Sequence, residues 1–131
     1  MAEIVAIIIG TIVLLVLINY NHGRAKLKKD YYRRKWREIK ILSRSSAAGA
    51  RLSVIEADKL LGRALEESGV KSGSVGDRLK AAGRRLADKD AVWEAHRLRN
   101  RIVHEEIYPK VSEIRKGLKA FEKALKDLGA L

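Results

Sequence analysis

The chain has 131 residues, room for one small domain of about one hundred residues beside a single anchoring segment. It contains no cysteine, which excludes a disulfide framework, a cysteine-based metal site and a thiol nucleophile. The formal net charge is +12, and residues 24–40 carry +7 of it, with nine basic against two acidic side chains, which points to a local electrostatic task.

Ile4 to Ile18 is an unbroken, weakly polar to apolar run. Extended to Met1 and Tyr20 it predicts a helix about 30 Å long at about 1.5 Å per residue, enough to cross a hydrocarbon core. A buried core helix seldom carries Ile, Leu and Val on every face. A cleaved signal peptide would have a basic start and a small-residue cleavage site, and neither Met-Ala-Glu nor Asn19-Tyr20-Asn21-His22-Gly23 supplies them. The expectation is a transmembrane helix over 1–20. The Lys/Arg excess follows the run, so the positive-inside rule puts the amino terminus outside the cell membrane and the rest of the chain in the cytoplasm.

Residues 21–43 read as a basic juxtamembrane helix after a weak point at 19–23. Its membrane-surface set is Lys26, Lys28, Lys29, Arg33, Arg34, Lys35, Trp36 and Arg37, with Tyr20, Tyr31, Tyr32 and Trp36 at headgroup level and membrane lipids as partners. A solvated helix face accounts for the same residues equally well. Leu27, Tyr31, Ile39 and Leu42 remain available for packing.

Residues 44–131 predict a helical bundle. A helix over about 47–68 carries Ala50, Val54, Ala57, Leu61, Ala64 and Leu65 on one stripe, ended by glycine and serine. Ser74, as N-cap with Asp77 in the first turn, opens a short helix through Leu79, Ala82 and Leu86. Asp88 or Asp90 caps a helix from about 90 to 107. Pro109 suits the first turn of a last helix, where Val111, Ile114, Leu118, Phe121, Leu125 and Leu128 repeat at helical spacing before Gly129. The fold class is all-α: a transmembrane helix, then an antiparallel bundle of about four helices with a short extra helix in one connection. No alternating run argues for a strand.

The chemistry concentrates in Arg99-Asn100-Arg101-Ile102-Val103-His104. A guanidinium suits phosphate charge and an imidazole moves protons near neutral pH. On a wheel of about 100° per residue, Ala91, Val92, Ala95, Leu98, Ile102 and Val103 form the apolar face. Trp93, His96, Arg97, Asn100 and His104 line the neighbouring face. Arg99 falls inside the apolar sector, so it needs a partner, and Asp58 at the edge of the 47–68 stripe is the candidate, ahead of Glu56. The catalytic candidates are Arg99 for phosphate charge, His104 as general acid or base, and Asn100 to bond the phosphate or orient the imidazole; Asp58, His96 and Arg97 support them. The same residues also read as an ion pair fixing helix register, with His104 an edge residue. The three histidines have no zinc-like spacing, and the chemistry calls for no cofactor.

The run Arg-polar-x-x-x-His resembles the signature of HEPN domains, the all-helical "higher eukaryotes and prokaryotes nucleotide-binding" superfamily. The resemblance covers about residues 44–131 in helix order, with Arg99, Asn100 and His104 as the specific matches. It implies a four-helix bundle that dimerises with two motifs facing each other, acting as a metal-independent endoribonuclease on RNA or as a non-catalytic binding module. The wider segments Trp93–Glu105 and Ile55–Leu61 also resemble small single-pass proteins of candidate-phyla bacteria, a likeness that implies no activity. Against the membrane-tethered ribonuclease stand two other expectations, a tethered dimerisation or adaptor module and a lipid-surface protein.

Overall fold

A computed structural model of the chain describes the backbone of residues 1–22, 26–70 and 73–131, and the side chains of these except 19–22. The Tyr20 side chain and residues 23–25, with Gly23 of the expected weak point and the charge of Arg24, lie outside the described residues, while the backbone of 19–22 continues α1 as helix. The helices are α1 (Ala2–His22), α2 (Lys29–Ser43), α3 (Ala47–Glu67), α4 (Val75–Ala82), α5 (Lys89–His104) and α6 (Val111–Asp127), with one 3-10 turn at Gly83–Arg85. There is no strand among the described residues.

Every side chain from Met1 to Ile18 is exposed, and none joins the core. Among the described residues no helix is long and apolar enough to cross a membrane. The stretch of α1 with described side chains, Ala2–Ile18, rises about 26 Å at about 1.5 Å per residue, short of a hydrocarbon core of about 30 Å. The helical backbone itself continues to His22.

The remaining helices share one core built around α3, which touches α2, α4, α5 and α6, while α5 also packs on α6. The α3 stripe is as its spacing predicts, with Val54, Ala57, Leu61, Ala64 and Leu65 fully buried. Helix ends follow local chemistry. Ser46 accepts from the Gly49 amide at 2.9 Å, Asp88 from the Ala91 amide at 3.1 Å, and Ser74 with Asp77 forms a reciprocal capping box. Both α3 and α6 stop at a glycine in the left-handed region, Gly69 (φ 100°) and Gly129 (φ 77°). The next amides, of Val70 and Ala130, reach back to the Leu65 and Leu125 carbonyls at 2.9 Å.

Several expectations need correction. Tyr32 and Trp36 are not at a surface: Tyr32 is fully buried and Trp36 is 5% exposed, both packed in the core with Leu27 and Ile39. The division at 43/44 therefore falls inside the packed unit, since α2 rests on α3. The polar tips of these rings find protein partners instead of headgroups. The Tyr32 hydroxyl donates to Glu67 Oε2 at 2.6 Å, and Trp36 Nε1 donates to Glu122 Oε1 at 3.1 Å. Arg63 completes the first contact, donating to Glu67 Oε1 at 2.7 Å and to the Tyr31 hydroxyl at 2.7 Å. The α5 helix ends at His104, not near 107, and Glu106 takes φ 52°, a conformation that stops helix continuation. Pro109 precedes α6, whose N-cap is Lys110. Val111 and Val103, both assigned to apolar faces, are 72% and 41% exposed, and Gly117 instead brings α6 against Leu98 and Ala95 of α5.

Candidate functional site

The site grows from one carboxylate. Asp58 lies on the buried face of α3, one turn after Val54 and one turn before Leu61, and is 1% exposed. A charge in that layer costs several kcal/mol unless it is paired and hydrogen-bonded, roughly the effective penalty for one buried ion. Helix α5 supplies both partners from residues three apart, which share a helix face. His96 Nδ1 lies 2.7 Å from Asp58 Oδ1, and Arg99 Nε lies 3.6 Å from Asp58 Oδ2. The second contact is too long for a hydrogen bond and leaves a buried Nε held by charge alone.

Asn100, one turn after His96, closes the group. Its Oδ1 accepts from Arg99 Nη1 at 2.9 Å, and its Nδ2 lies 3.5 Å from His96 Nε2. The Trp93 ring meets the imidazole edge-on at 5.8 Å between centroids. The amino-terminal turn of α4 approaches from above at Gly76, where an added Cβ would stand 3.6 Å from His96 Nε2 and 3.5 Å from the Trp93 ring. His96 is thus enclosed, while a third of the Arg99 side chain, 32%, faces solvent.

The expected pairing of Arg99 with Asp58 is present as an ion pair, but the nearer partner of Asp58 is His96. Asn100 meets the imidazole of His96, and no hydrogen bond or ion pair joins the His104 imidazole to any described residue. His104 is the exposed last residue of α5, one turn beyond Asn100 on the same face. Arg97 stands apart, lining the groove between α5 and α6 with Glu94, Arg101 and Lys116. In that groove Lys116 donates to Glu94 at 2.9 Å, a contact that lowers the Glu94 carboxyl below its ordinary range and raises the ammonium.

One residue that the sequence did not flag is Arg51 of α3. Its Nη2 donates to the Ile102 carbonyl at 3.3 Å, and its guanidinium covers the Tyr108 ring at 4.4 Å. It therefore adds a cation to the last turn of the motif helix, where free carbonyls favour positive charge. An arginine in the second turn of a helix, followed by Leu52, carries no sequence mark of this role. Lys26 and Lys28 before α2 are exposed, as are Lys29, Arg33, Arg34 and Arg37 on it, and Lys35 pairs with Glu38 at 2.9 Å; Trp36 leaves the basic surface set because it is buried. Among the described residues no group of three or more His, Cys, Asp or Glu side chains is placed to hold a metal ion.

Comparison of the chain with family models, with curated proteins and with solved structures finds no match.

Proposed function

We propose that the chain is a membrane-anchored HEPN-like helical bundle, facing the cytoplasm, that binds RNA phosphodiesters on the polar face of α5 and cleaves them without a metal ion. The observation that carries this reading is the setting of Arg99. A buried carboxylate faces the guanidinium on its Nε side as an ion pair at 3.6 Å, Asn100 bonds Nη1 at 2.9 Å, and 32% of the side chain stays open to solvent. An arginine restrained in this way is pre-organised for an oxyanion. His104, exposed and unpartnered one turn away from Asn100, is free to move a proton.

In this reading an imidazole takes the 2′-hydroxyl proton, the 2′-oxygen bonds to phosphorus, and Arg99 carries the charge that builds on the phosphoryl oxygens. The 5′-oxygen leaves with a proton, giving a 2′,3′-cyclic phosphate. A homodimer with two facing motifs would supply a second His104 as the acid. The α1 segment is the proposed anchor. Its exposed Ile, Leu and Val side chains support this, as does Thr11, whose hydroxyl is satisfied by the Ile7 carbonyl at 2.8 Å. The exposed arginines 33, 34 and 37 of α2 would hold the bundle against anionic lipid, at about 1 kcal/mol per basic residue near the surface.

A second reading is a tethered, non-catalytic adaptor. It is favoured by one observation: Asp58, His96, Asn100 and Arg99 already bond to one another. The test is RNA cleavage by the full chain in detergent micelles, with and without chelator. Cleavage that survives chelation, leaves cyclic phosphate ends, and is lost in His104→Ala, Arg99→Ala and Arg99→Lys supports the ribonuclease. A folded protein that leaves diverse RNAs intact transfers the assignment to the adaptor. Protease added to intact cells tests the orientation: digestion of residues 26–131 from outside would reverse it.

A further inference from the structure

The hydrogen-bond polarity of the cluster is set by its outermost member. A guanidinium has donors only, so the Asn100 atom 2.9 Å from Arg99 Nη1 must be the carbonyl oxygen. The amide nitrogen of Asn100 is then the atom turned to His96 Nε2, at 3.5 Å. That nitrogen also has donors only. It follows that Nε2 presents its lone pair, that the ring proton sits on Nδ1, and that Asp58 Oδ1 accepts that proton at 2.7 Å. The tautomer of one histidine is thus dictated by an arginine that does not touch it.

This chain of donors has a consequence when a proton arrives at Nε2. An N–H would then oppose the Asn100 N–H group, and the amide must turn over so that its oxygen faces the imidazole. Turned over, its N–H group opposes Arg99 Nη1, donor against donor. Protonated His96 and the Arg99–Asn100 bond therefore exclude each other in the free protein. An oxyanion seated on Arg99 removes the conflict, because it takes Nη1 and accepts from the turned amide as well. We propose that Asn100 is a two-position latch that couples the binding of a phosphate-like or sulfate-like dianion at Arg99 to the protonation of His96. The charged group bonded to the imidazole is Asp58 from α3, Arg99 from α5 is linked to it through Asp58 and Asn100, and the residue that α4 brings to it is Gly76, which carries no charge. The coupling rests on the reading of Arg99 as an anion site, and it is reciprocal: the anion favours the proton as much as the proton favours the anion.

The experiment uses the full chain in detergent micelles, with imidazole and guanidinium nitrogens labelled, His22→Gln and His104→Gln used to assign the three rings, and Arg99→Lys used to assign the Arg99 guanidinium. Sulfate is the probe, since it does not titrate near neutral pH. In the free protein at high pH, the His96 signals must show a bare Nε2 and a protonated Nδ1. Sulfate binding should be accompanied by proton uptake, with Nε2 moving toward its protonated position. Its affinity should be about tenfold tighter when His96 is protonated than at high pH, where Nε2 is bare. In Asn100→Ala, checked for folding by circular dichroism, sulfate binds more weakly because one donor is gone, and at saturating sulfate the proton uptake falls well below that of the parent chain, to what the charge of the anion alone induces.

A free protein with the proton on Nε2 overturns the donor chain while leaving Arg99 available as an anion site. Sulfate that shifts the Arg99 signals without proton uptake at His96, or with equal uptake in Asn100→Ala, overturns the latch alone. Sulfate that moves neither residue overturns the latch together with the anion reading of Arg99.

Discussion

Asp58 sits between two cations of different standing, and removing it should separate their contributions. Asp58→Ala strips the acceptor from a His96 ring that is nearly enclosed and the counter-charge from an Arg99 side chain that is 32% exposed. Breaking a buried pair costs about 3–5 kcal/mol, but Arg99 regains hydration through its open edge, so a loss near the low end, about 3 kcal/mol, is expected. The larger share belongs to the 2.7 Å contact, since a hydrogen bond to a charged group contributes about 1.5–3 kcal/mol. The 3.6 Å contact, partly screened by water, contributes under about 1 kcal/mol. Two double-mutant cycles make the comparison, Asp58→Ala with His96→Ala and Asp58→Ala with Arg99→Ala, read as urea midpoints by circular dichroism on the full chain in micelles. A coupling energy of about 2 kcal/mol for the histidine and well below half of that for the arginine is the expected outcome. If the arginine cycle gives the larger coupling, the ranking by distance and exposure is wrong, and Asp58 exists to hold Arg99.

Four other outcomes follow from the packing. The Tyr32 hydroxyl, and after it Arg63, hold the Glu67 carboxyl below its ordinary range, so this group adds stability above about pH 4.3 that is lost as pH falls; Glu67→Gln should flatten the acid limb of a stability–pH curve. Burial first, and the Glu67 contact second, raise the Tyr32 hydroxyl well above its ordinary value. Its contribution is complete below about pH 10 and lost above, and Tyr32→Phe should flatten the alkaline limb. Gly49→Ala would gain about 1 kcal/mol by helix propensity, yet its Cβ would meet the Leu42 carbonyl at 2.6 Å and the Ser45 hydroxyl, so a lower melting temperature is expected. Trp36→Ala should cost about 3–5 kcal/mol, as for a core aromatic, and an unchanged urea midpoint would return α2 to the surface.

Much of the bundle was legible because local chemistry and periodicity agree there. Ser74 with Asp77, Asp88 and Gly129 mark helix ends by interactions that reach only three or four residues, and the α3 stripe follows a 3.6-residue period. What escaped depends on neighbours that the sequence does not order in space. Tyr32 and Trp36 lie in a strongly basic segment, and their burial follows from Glu67 and Glu122, far along the chain. Val111 fits the α6 stripe by spacing, but it lies in the first turn, ahead of Gly117, where α5 makes its close approach. In the site, the wheel found Arg99 and Asp58 because both sit at an apolar face. It placed His96 on the polar face, where only the approach of α3 and α4 reveals that it is enclosed and bonded to Asp58.

Helix α3 packs on every other helix of the bundle, α2, α4, α5 and α6. No partner can detach from it without exposing part of the same row of buried side chains. Partial openings, the low-energy routes by which many proteins admit solvent to their interior, therefore have little to work with around the middle of α3. Asp58 stands there, one turn from Val54 and one from Leu61. Its amide should exchange hydrogen only through global unfolding, and water should reach its carboxylate at that same rare frequency. The charge at the centre of the site is kept dry by the cooperativity of the whole bundle.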